Sequence, residues 1–440
     1  MLNKSNLCFY FKNSPPTSTN DAGKPGFGVG IAPQAALASV GNLSPMLGYD
    51  DPSNDNYGNY QGSDGSIMCF IPAFCYRSGY DTAPTKERDG LNALEITYDT
   101  GLAGTDGWIF HRAFINGGQN ISGFFIDKYL ASKNSDRTGC VSVKNGDPLT
   151  LCDKSSYNGT SRLPDCIGNP SDAIILGRKR GTRYCCASIF AYSAIAMLSL
   201  AHSQACGDSN TEYCAWNDEN PWCKGNNFSL KDYNDSSVTY TATTTSNTMK
   251  GLTGSGTPFA KTTHNGQNCG VADIVGNLYE VSLGVTQPAS NSDSRFGKLL
   301  VFKVSSDICD IESHASIDDA KLYDEVEFTR NANFTSAGVW INSESQFSQD
   351  NSGADWALTG CYARRNGETT SSSIQFLMKG TYSHAGAAGE SINYCPIIGG
   401  HYNFNRYTGL FYRGAIRWNS SSNVNGNYVY GFRCMAMPQA

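Results

Sequence analysis

Cysteine is the residue type with the widest chemical range in this sequence, because a thiolate binds soft metals, attacks electrophiles and forms disulfides. The chain of 440 residues contains sixteen cysteines. Their spacing does not suit a zinc site, since Cys185 and Cys186 are adjacent and no C-x-x-C pair occurs. Two alternatives stay open: buried free thiols, or disulfides that form once the protein leaves a reducing cell.

Other catalytic patterns are missing from the sequence. It has no G-x-S-x-G and no H-E-x-x-H motif, and its six histidines are scattered from His111 to His401. His264, which is followed by Asn265-Gly266, is typical of a histidine that hydrogen-bonds within a turn. The histidines therefore indicate no catalytic base or metal site.

The composition excludes two classes of protein. Charged residues make up 16% of the chain, aromatic residues 12%, and the net charge is −6. A disordered chain would have many charges and few aromatic residues, and a nucleic-acid-binding protein needs a basic face. The longest basic run is Arg178-Lys179-Arg180. We therefore expect a folded protein that does not bind nucleic acid.

Targeting signals are not evident. The N-terminus lacks the apolar core of a signal peptide, and the most apolar stretch, Cys185 to Ala201, is interrupted by serines. We expect synthesis in a cytoplasm and no insertion into a membrane.

Short strands and one helix are the elements that must position these residues. The apolar runs from Ile67 to Tyr76 and from Leu94 to Tyr98 predict strands, and Asn116-Gly117-Gly118 predicts a hairpin. Apolar residues spaced by three and four predict a helix from Tyr184 to His202 with one buried face. Long polar stretches separate these elements, so the expected class is α+β.

Three stretches carry a resemblance to a known family. They are Gly123 to Ser132 (G-F-F-I-D-K-Y-L-A-S), Gly270 to Glu280 (G-V-A-D-I-V-G-N-L-Y-E), and Gly431-Phe432-Arg433-Cys434, which follows Gly399-Gly400. They resemble the opening strand, the recurrent motif and the closing segment of the formylglycine-generating-enzyme-like branch of the C-type lectin fold. The amino-acid sequence around the first two stretches is most similar to that of phage virion proteins.

The resemblance implies a domain organisation. Residues 107–440 would form the C-type-lectin-like domain, with a large insertion at about 285–390. Residues 1–106 would form a small β-rich and loop-rich region that attaches the protein to the virion.

The enzymes of this family are similar in scaffold but oxidise their substrate through two cysteines that bind copper. The resemblance places Phe404 and Gly409 at those two positions, and the nearest thiols are Cys395 and Cys434. Cu(I) needs soft ligands such as thiolates. We therefore expect no copper, and we expect that the chain is not an enzyme.

The resemblance also implies a Ca²⁺ site in the second stretch. The family's two side-chain and two carbonyl ligands correspond to Asp273, Gly276, Leu278 and Glu280. Oxygen ligands of this kind suit Ca²⁺. In the alternative interpretation, Asp273 caps a turn and Glu280 pairs with an arginine in the core.

The C-terminal stretch has the composition of a binding surface, because rigid aromatic residues alternate with asparagine and serine. In the lectin-like variable proteins that it resembles, this region binds the ligand. The resemblance implies the following ligand-binding residues: Tyr402, Asn403, Asn405, Arg406, Tyr407, Tyr412, Arg413, Trp418, Asn419, Asn423, Asn425 and Tyr428. The alternative is that part of this set belongs to the core or to solvated loops.

The function implied by the resemblance is that of a structural protein of a tailed bacteriophage particle, of the tail-fibre or receptor-binding type. Its partners would be other virion proteins and a host-surface glycan or protein, and receptor-binding proteins of this kind are commonly homo-oligomers such as trimers. A capsid decoration or tail-structural protein that uses the same fold for packing is the first alternative. A formylglycine-generating oxidase is the second, which the missing cysteines disfavour.

Six cysteines lie in the loop-rich stretches around the predicted helix, where cross-links would close long loops. We expect some of them to form disulfides in the mature particle: Cys140, Cys152, Cys166, Cys206, Cys214 and Cys223.

Overall fold

The computed structural model of the chain combines many short strands with few helices, which confirms the predicted α+β class. It describes residues 18–89, 93–151, 166–167, 170–207, 215, 223–244, 248–286, 299–313, 319–326, 339–340, 377–378, 394–403, 409–417 and 429–439.

The helices are short except for the last. They are α1 (Gln34–Val40), α2 (Lys86–Asp89), α3 (Pro170–Lys179) and α4 (Ile189–Cys206). The strands are, in chain order, β1 (Leu43–Pro45), β2 (Asn59–Gly62), β3 (Ile67–Pro72), β4 (Cys75–Ser78), β5 (Leu94–Thr97), β6 (Ile109–Phe110), β7 (Ile115–Asn116), β8 (Gln119–Asn120), β9 (Gly123–Asp127), β10 (Ser132–Lys133), β11 (Cys140–Val141), β12 (Thr150–Leu151), β13 (Cys166–Ile167), β14 (Tyr184–Cys186), β15 (Tyr279–Val281), β16 (Val285–Thr286), β17 (Leu299–Phe302), β18 (Tyr323–Val326), β19 (Val339–Trp340), β20 (Leu377–Met378), β21 (Tyr394–Gly399), β22 (Gly409–Arg417), β23 (Tyr430–Gly431) and β24 (Cys434–Ala436).

A six-stranded antiparallel sheet with the order β1-β2-β3-β9-β24-β14 joins the beginning, middle and end of the chain. β3 lies before the predicted domain boundary at residue 106, whereas its neighbour β9 lies after it. Phe27 and Tyr57 also share one hydrophobic core with Phe124 and Phe432. Within the described residues, the boundary at 106 therefore does not separate two hydrophobic cores.

An eight-stranded sheet carries most of the remaining strands, in the order β13-β12-β23-β15-β21-β22-β20-β19. β15 contains the last two residues of the stretch from Gly270 to Glu280, and it pairs with β21 and β23 from the C-terminal part of the chain. Within the predicted insertion, β17 and β18 form a small antiparallel sheet with β16. The long β22 thus belongs to the same sheet as the motif strand β15.

The helix α4 begins later than predicted and is buried more completely. Tyr184–Cys186 form β14 instead, which pairs with β24, and the Ser188 hydroxyl caps α4 by accepting a hydrogen bond from the amide of Ala191 (3.2 Å). The prediction of one buried face was wrong, because side chains all round the helix are buried. The residues outside the predicted face include Ala191, Ser193, Ala196 and Ser199, whose small size lets other elements pack closely against the helix.

The same helix has the length and mean hydropathy (1.2) of a membrane-spanning segment, and it alone among the described helices has them. The protein buries 94% of it. The central helix of a globular core passes the same test, and α4 lies in the main hydrophobic core together with β9 and β15.

The predicted hairpin is confirmed. β7 and β8 pair antiparallel, and both turn residues have positive φ angles, +59° at Gly117 and +73° at Gly118. A two-residue turn of this kind requires left-handed backbone at both positions, which glycine adopts without a steric penalty. The predicted strands near residues 67–76 and 94–98 are also confirmed, as β3, the first half of β4, and β5.

Candidate functional site

Arg433 connects the three stretches on which the resemblance rests. Its guanidinium donates to both carboxylate oxygens of Glu280, from Nε to Oε2 (2.6 Å) and from Nη2 to Oε1 (2.8 Å). It also donates to the backbone carbonyls of Asp127 and Ala272, each at 3.0 Å. The opening strand, the central motif and the closing segment, far apart in sequence, therefore meet at one side chain.

The Arg433–Glu280 pair is completely buried, with 0% exposure of both side chains. The Tyr192 hydroxyl on α4 donates a third hydrogen bond to Glu280, to Oε2 at 2.6 Å. Burial, together with the carboxylate beside it, raises the pKa of Tyr192, so this hydroxyl keeps its proton and remains a donor. The structure therefore agrees with the alternative interpretation of Glu280, in which it pairs with an arginine in the core.

A second buried pair lies beside the first, on β9. The Nη1 atom of Arg180 donates to both carboxylate oxygens of Asp127, at 2.7 and 2.8 Å. The amide of Cys434 donates to the same carboxylate (2.9 Å), and the Arg180 Nε lies 3.2 Å from Asp64. The end of the chain is thus fixed to β9 by charge-assisted hydrogen bonds as well as by the pairing of strands.

Asp273 holds two loops of the polar segment before it. Its Oδ1 accepts a hydrogen bond from the Tyr240 hydroxyl (3.0 Å), and its Oδ2 accepts one from the amide of Gly254 (2.7 Å). Its φ angle is +60°, a left-handed conformation that aspartate tolerates better than most residues. Burial raises the pKa of this carboxyl from 3.8 to about 6. Between these pH values the folded form holds a proton that the unfolded form has released, so its contribution to stability falls as the pH rises to about 6.

The four positions predicted to bind Ca²⁺ do not fit that ion in this arrangement. Arg433 and Tyr192 contact the Glu280 oxygens, and hydrogen-bond donors of the protein face both oxygens of Asp273. The Gly276 carbonyl accepts a hydrogen bond from the amide of Leu278 (2.8 Å). A cation at this site would face a guanidinium, which repels it. Within the described parts of the chain, no group of three His, Cys, Asp or Glu residues could hold a metal.

Asn277 lies between Asp273 and Glu280 in the sequence and forms hydrogen bonds with three other segments. Its Oδ1 accepts hydrogen bonds from the Asn226 side chain (3.1 Å) and the Gly251 amide (2.8 Å), and its Nδ2 donates to the Gly251 carbonyl (3.0 Å). Its carbonyl accepts a hydrogen bond from the amide of Tyr402 (3.1 Å). The motif therefore positions the loop around residue 226, the loop around residue 251 and the start of the predicted binding face.

The predicted ligand-binding residues have different positions. Tyr402 is 3% exposed and belongs to the core, so its side chain is not part of a surface, whereas Asn403 beside it is exposed. Tyr412 and Arg413 lie on β22, where they pair with Leu377 and Met378 of β20. The remaining predicted residues lie outside the described part of the chain: Asn405, Arg406, Tyr407, Trp418, Asn419, Asn423, Asn425 and Tyr428.

Two exposed aromatic residues near this face were not predicted. Phe228 and Tyr233 are 47% exposed, and Leu47 is the other large apolar residue exposed on the described part of the chain. The aromatic residues occur in the stretch N-N-F-S-L-K-D-Y-N, which has the aromatic and asparagine-rich composition used to predict the C-terminal face. That composition is the signal that would have found them.

The cysteines with described side chains are buried. Three of the six predicted to include disulfides are among them, namely Cys140, Cys206 and Cys223. Cys140 and Cys223 are free thiols, and the Sγ atom of Cys140 lies 3.8 Å from that of Cys434. Cys166 lies on β13, while Cys152 and Cys214 lie outside the described residues. Of the two positions compared with the copper ligands, Gly409 begins β22 and Phe404 is not described.

Protein-family models and curated proteins give no match to this chain.

Proposed function

We propose that the chain is a structural protein of a tailed bacteriophage particle and that its lectin-like C-terminal face recognises a glycan or protein on the host surface. The observation that carries the proposal is the set of four hydrogen bonds from Arg433, which bring together the three stretches that resemble one family. Unrelated matches of short motifs would have no reason to meet at one buried side chain.

The position of the predicted face supports the same function. β22, which carries Tyr412 and Arg413, lies beside β21, and β21 pairs with the motif strand β15. A binding face on this strand would rest on the sheet whose strand β15 carries Glu280, which Arg433 holds with two hydrogen bonds. Rigid support of this kind reduces the entropy lost when a ligand binds.

The low charge of the chain suits a protein exposed on a particle, because uncharged polar groups make few non-specific ionic contacts. In the proposed assembly the partners are other virion proteins and further copies of the same chain. The capsid-decoration alternative uses the same fold, but the face would then pack against a neighbouring virion protein.

Binding of the purified full chain to a panel of intact bacterial cells tests the proposal. Tyr412→Ala and Trp418→Ala are expected to abolish binding, whereas Leu47→Ala, which also removes an exposed side chain but on the loop after β1, should bind as the wild type does. Binding that both aromatic variants retain would contradict the assignment of the face. If the wild type binds no cells but binds particles that lack it, the capsid-decoration role replaces the receptor role.

A further inference from the structure

We propose that Phe228 and Tyr233 form a second contact site, for an uncharged glycan, beside the C-terminal face. This inference rests on the proposed function and names the chemistry of its ligand. The ring centroids lie 5.7 Å apart with an angle of 81° between the planes, an edge-to-face pair. About half of each residue is exposed to water, so the two adjacent rings form an aromatic patch that a ligand can cover.

The backbone of the loop that carries the pair is fixed by side chains. Asn226 Oδ1 accepts a hydrogen bond from the amide of Leu230 (2.7 Å), and Asn227 Oδ1 accepts one from the amide of Tyr233 (2.7 Å). Both asparagines are buried. The two aromatic residues therefore stand on a backbone that is already ordered before any ligand binds.

The turn between the two rings has an unfavourable backbone conformation. The φ angles of Ser229 and Leu230 are +50° and +72°, a region that side chains with a Cβ atom rarely adopt. Two such residues in succession persist only where the surrounding contacts over-determine them, and they cluster at ligand sites. Here the turn keeps Phe228 and Tyr233 on the same side of the loop, in ring contact.

The same turn joins the aromatic pair to the proposed face. The Ser229 amide donates a hydrogen bond to the carbonyl of Tyr402 (2.9 Å), and Tyr402 is followed by the exposed Asn403. Asn226 contacts Asn277, so the motif fixes both segments at once. The exposed Asn403 is therefore adjacent in sequence to the residue that is hydrogen-bonded to the turn between the rings.

The charges around the pair favour an uncharged ligand. The Asp232 carboxylate is buried and accepts hydrogen bonds from backbone amides, and Asp235 forms an ion pair with Lys261 (2.7 Å). Lys231 is the one exposed basic residue of residues 223–244, and the other exposed polar residues there are uncharged: Ser229, Asn234, Ser236, Ser237, Thr239, Thr241 and Thr244. Aromatic rings surrounded by hydroxyl and amide groups suit a sugar, which offers apolar C–H faces and hydroxyl groups.

The test uses the full chain and an array of immobilised neutral and acidic bacterial oligosaccharides. Phe228→Ala and Tyr233→Ala are expected to weaken binding to a neutral oligosaccharide by about tenfold each. Tyr233→Phe, which keeps the ring, and Leu47→Ala, an exposed control, should bind as the wild type does. Because neither residue belongs to the hydrophobic core, the alanine variants should still fold with only a small drop in melting temperature, so lost binding would not reflect lost folding.

The other outcomes separate this inference from the proposed function. Wild-type affinity in both alanine variants would overturn the aromatic site and leave the C-terminal face intact. Binding to acidic sugars alone, or cell binding that survives periodate oxidation of the surface sugars, would also overturn it, since the ligand is then charged or a protein. A wild-type chain that binds neither sugars nor cells would refute the proposed function and this inference together.

Discussion

Replacing Arg433 with methionine tests the central feature of the structure, the buried pair that joins the three motifs. Methionine fills a similar volume but donates no hydrogen bonds. Glu280 would then be a carboxylate with 0% exposure and with Tyr192 as its remaining donor among the contacts described above. The carbonyls of Asp127 and Ala272 would lose a donor as well.

The expected loss of stability is large. Removing one partner of a buried ion pair costs about 3–5 kcal/mol, because an uncompensated charge remains in the core. A domain has a free energy of unfolding of about 5–15 kcal/mol, so the variant would fold marginally. Tyr192→Phe, which removes one hydrogen bond to the carboxylate, should cost about 1.5–3 kcal/mol and provides a variant that folds.

A double-mutant cycle measured by urea unfolding at pH 7 isolates the pair. Glu280→Gln should destabilise the wild type by several kcal/mol, because it leaves Arg433 without its counter-charge. In the Arg433→Met background the same change should instead stabilise the protein by about 1–2 kcal/mol, since it neutralises the unpaired carboxylate. The change of sign is the result expected only if the two groups meet in the core.

The pair of Arg77 and Glu95 is a matched control. It is also bidentate, with distances of 2.8 and 3.0 Å, but its side chains keep 8% and 15% exposure, and Arg77 has a second carboxylate partner in Asp106. The same cycle there should give a smaller coupling than at Arg433 and Glu280, because Asp106 still compensates Arg77 when Glu95 is replaced. If Glu280→Gln destabilises the Arg433→Met variant as much as the wild type, the two side chains do not interact and the proposed meeting of the motifs is wrong.

Three further predictions concern the buried polar groups. The stability deficit of Asp273→Asn relative to the wild type should shrink by about 2.4 kcal/mol between pH 4 and pH 7.5, since a carboxyl pKa raised from 3.8 to about 6 destabilises only the wild type as the pH rises. Urea unfolding at both pH values measures this, and a deficit independent of pH would contradict it. Excess EDTA should leave the melting temperature unchanged, whereas a lower temperature that Ca²⁺ restores would revive the metal site. Cys140 and Cys434 should react with a maleimide only in denaturant, because both thiols are buried, and labelling of the folded chain, followed by mass spectrometry, would refute their burial.

Features that depend on neighbours in sequence were predictable. The hairpin at Gly117-Gly118 follows from the preference of its turn for glycine, and the apolar run after Ile67 forms β3 as expected. The helix α4 was found, but its start was misplaced, because Tyr184–Cys186 are as apolar as the helix that follows. Their pairing with β24 decides the conformation, and that strand lies about 250 residues further along the chain.

The organisation of the site depended on contacts that no local pattern contains. The sequence predicted an arginine as one possible partner of Glu280, but not that it would be Arg433, 153 residues away. The composition around Phe228 and Tyr233 could have indicated a binding surface, but not that both rings are exposed, because an aromatic residue between polar ones fits a core position and a surface position equally well. The pairing of β3 with β9, which crosses the predicted boundary at residue 106, was hidden in the same way, because the two strands are far apart in sequence.

The buried charges explain how this motif can be stable without a bound cation. Glu280 and Asp127 each face an arginine of the same chain, so their negative charges are compensated within the protein. Asp273 has no arginine partner of this kind, but its raised pKa lets it carry a proton up to about pH 6 and its hydrogen bonds stabilise the ionised form above that. A Ca²⁺ ion would have to displace Arg433 from Glu280 and would thereby separate the closing segment from β9. The Arg433 guanidinium thus places a positive charge on Glu280, one of the four positions at which the resemblance implies a metal ligand, and it also connects three distant parts of the chain.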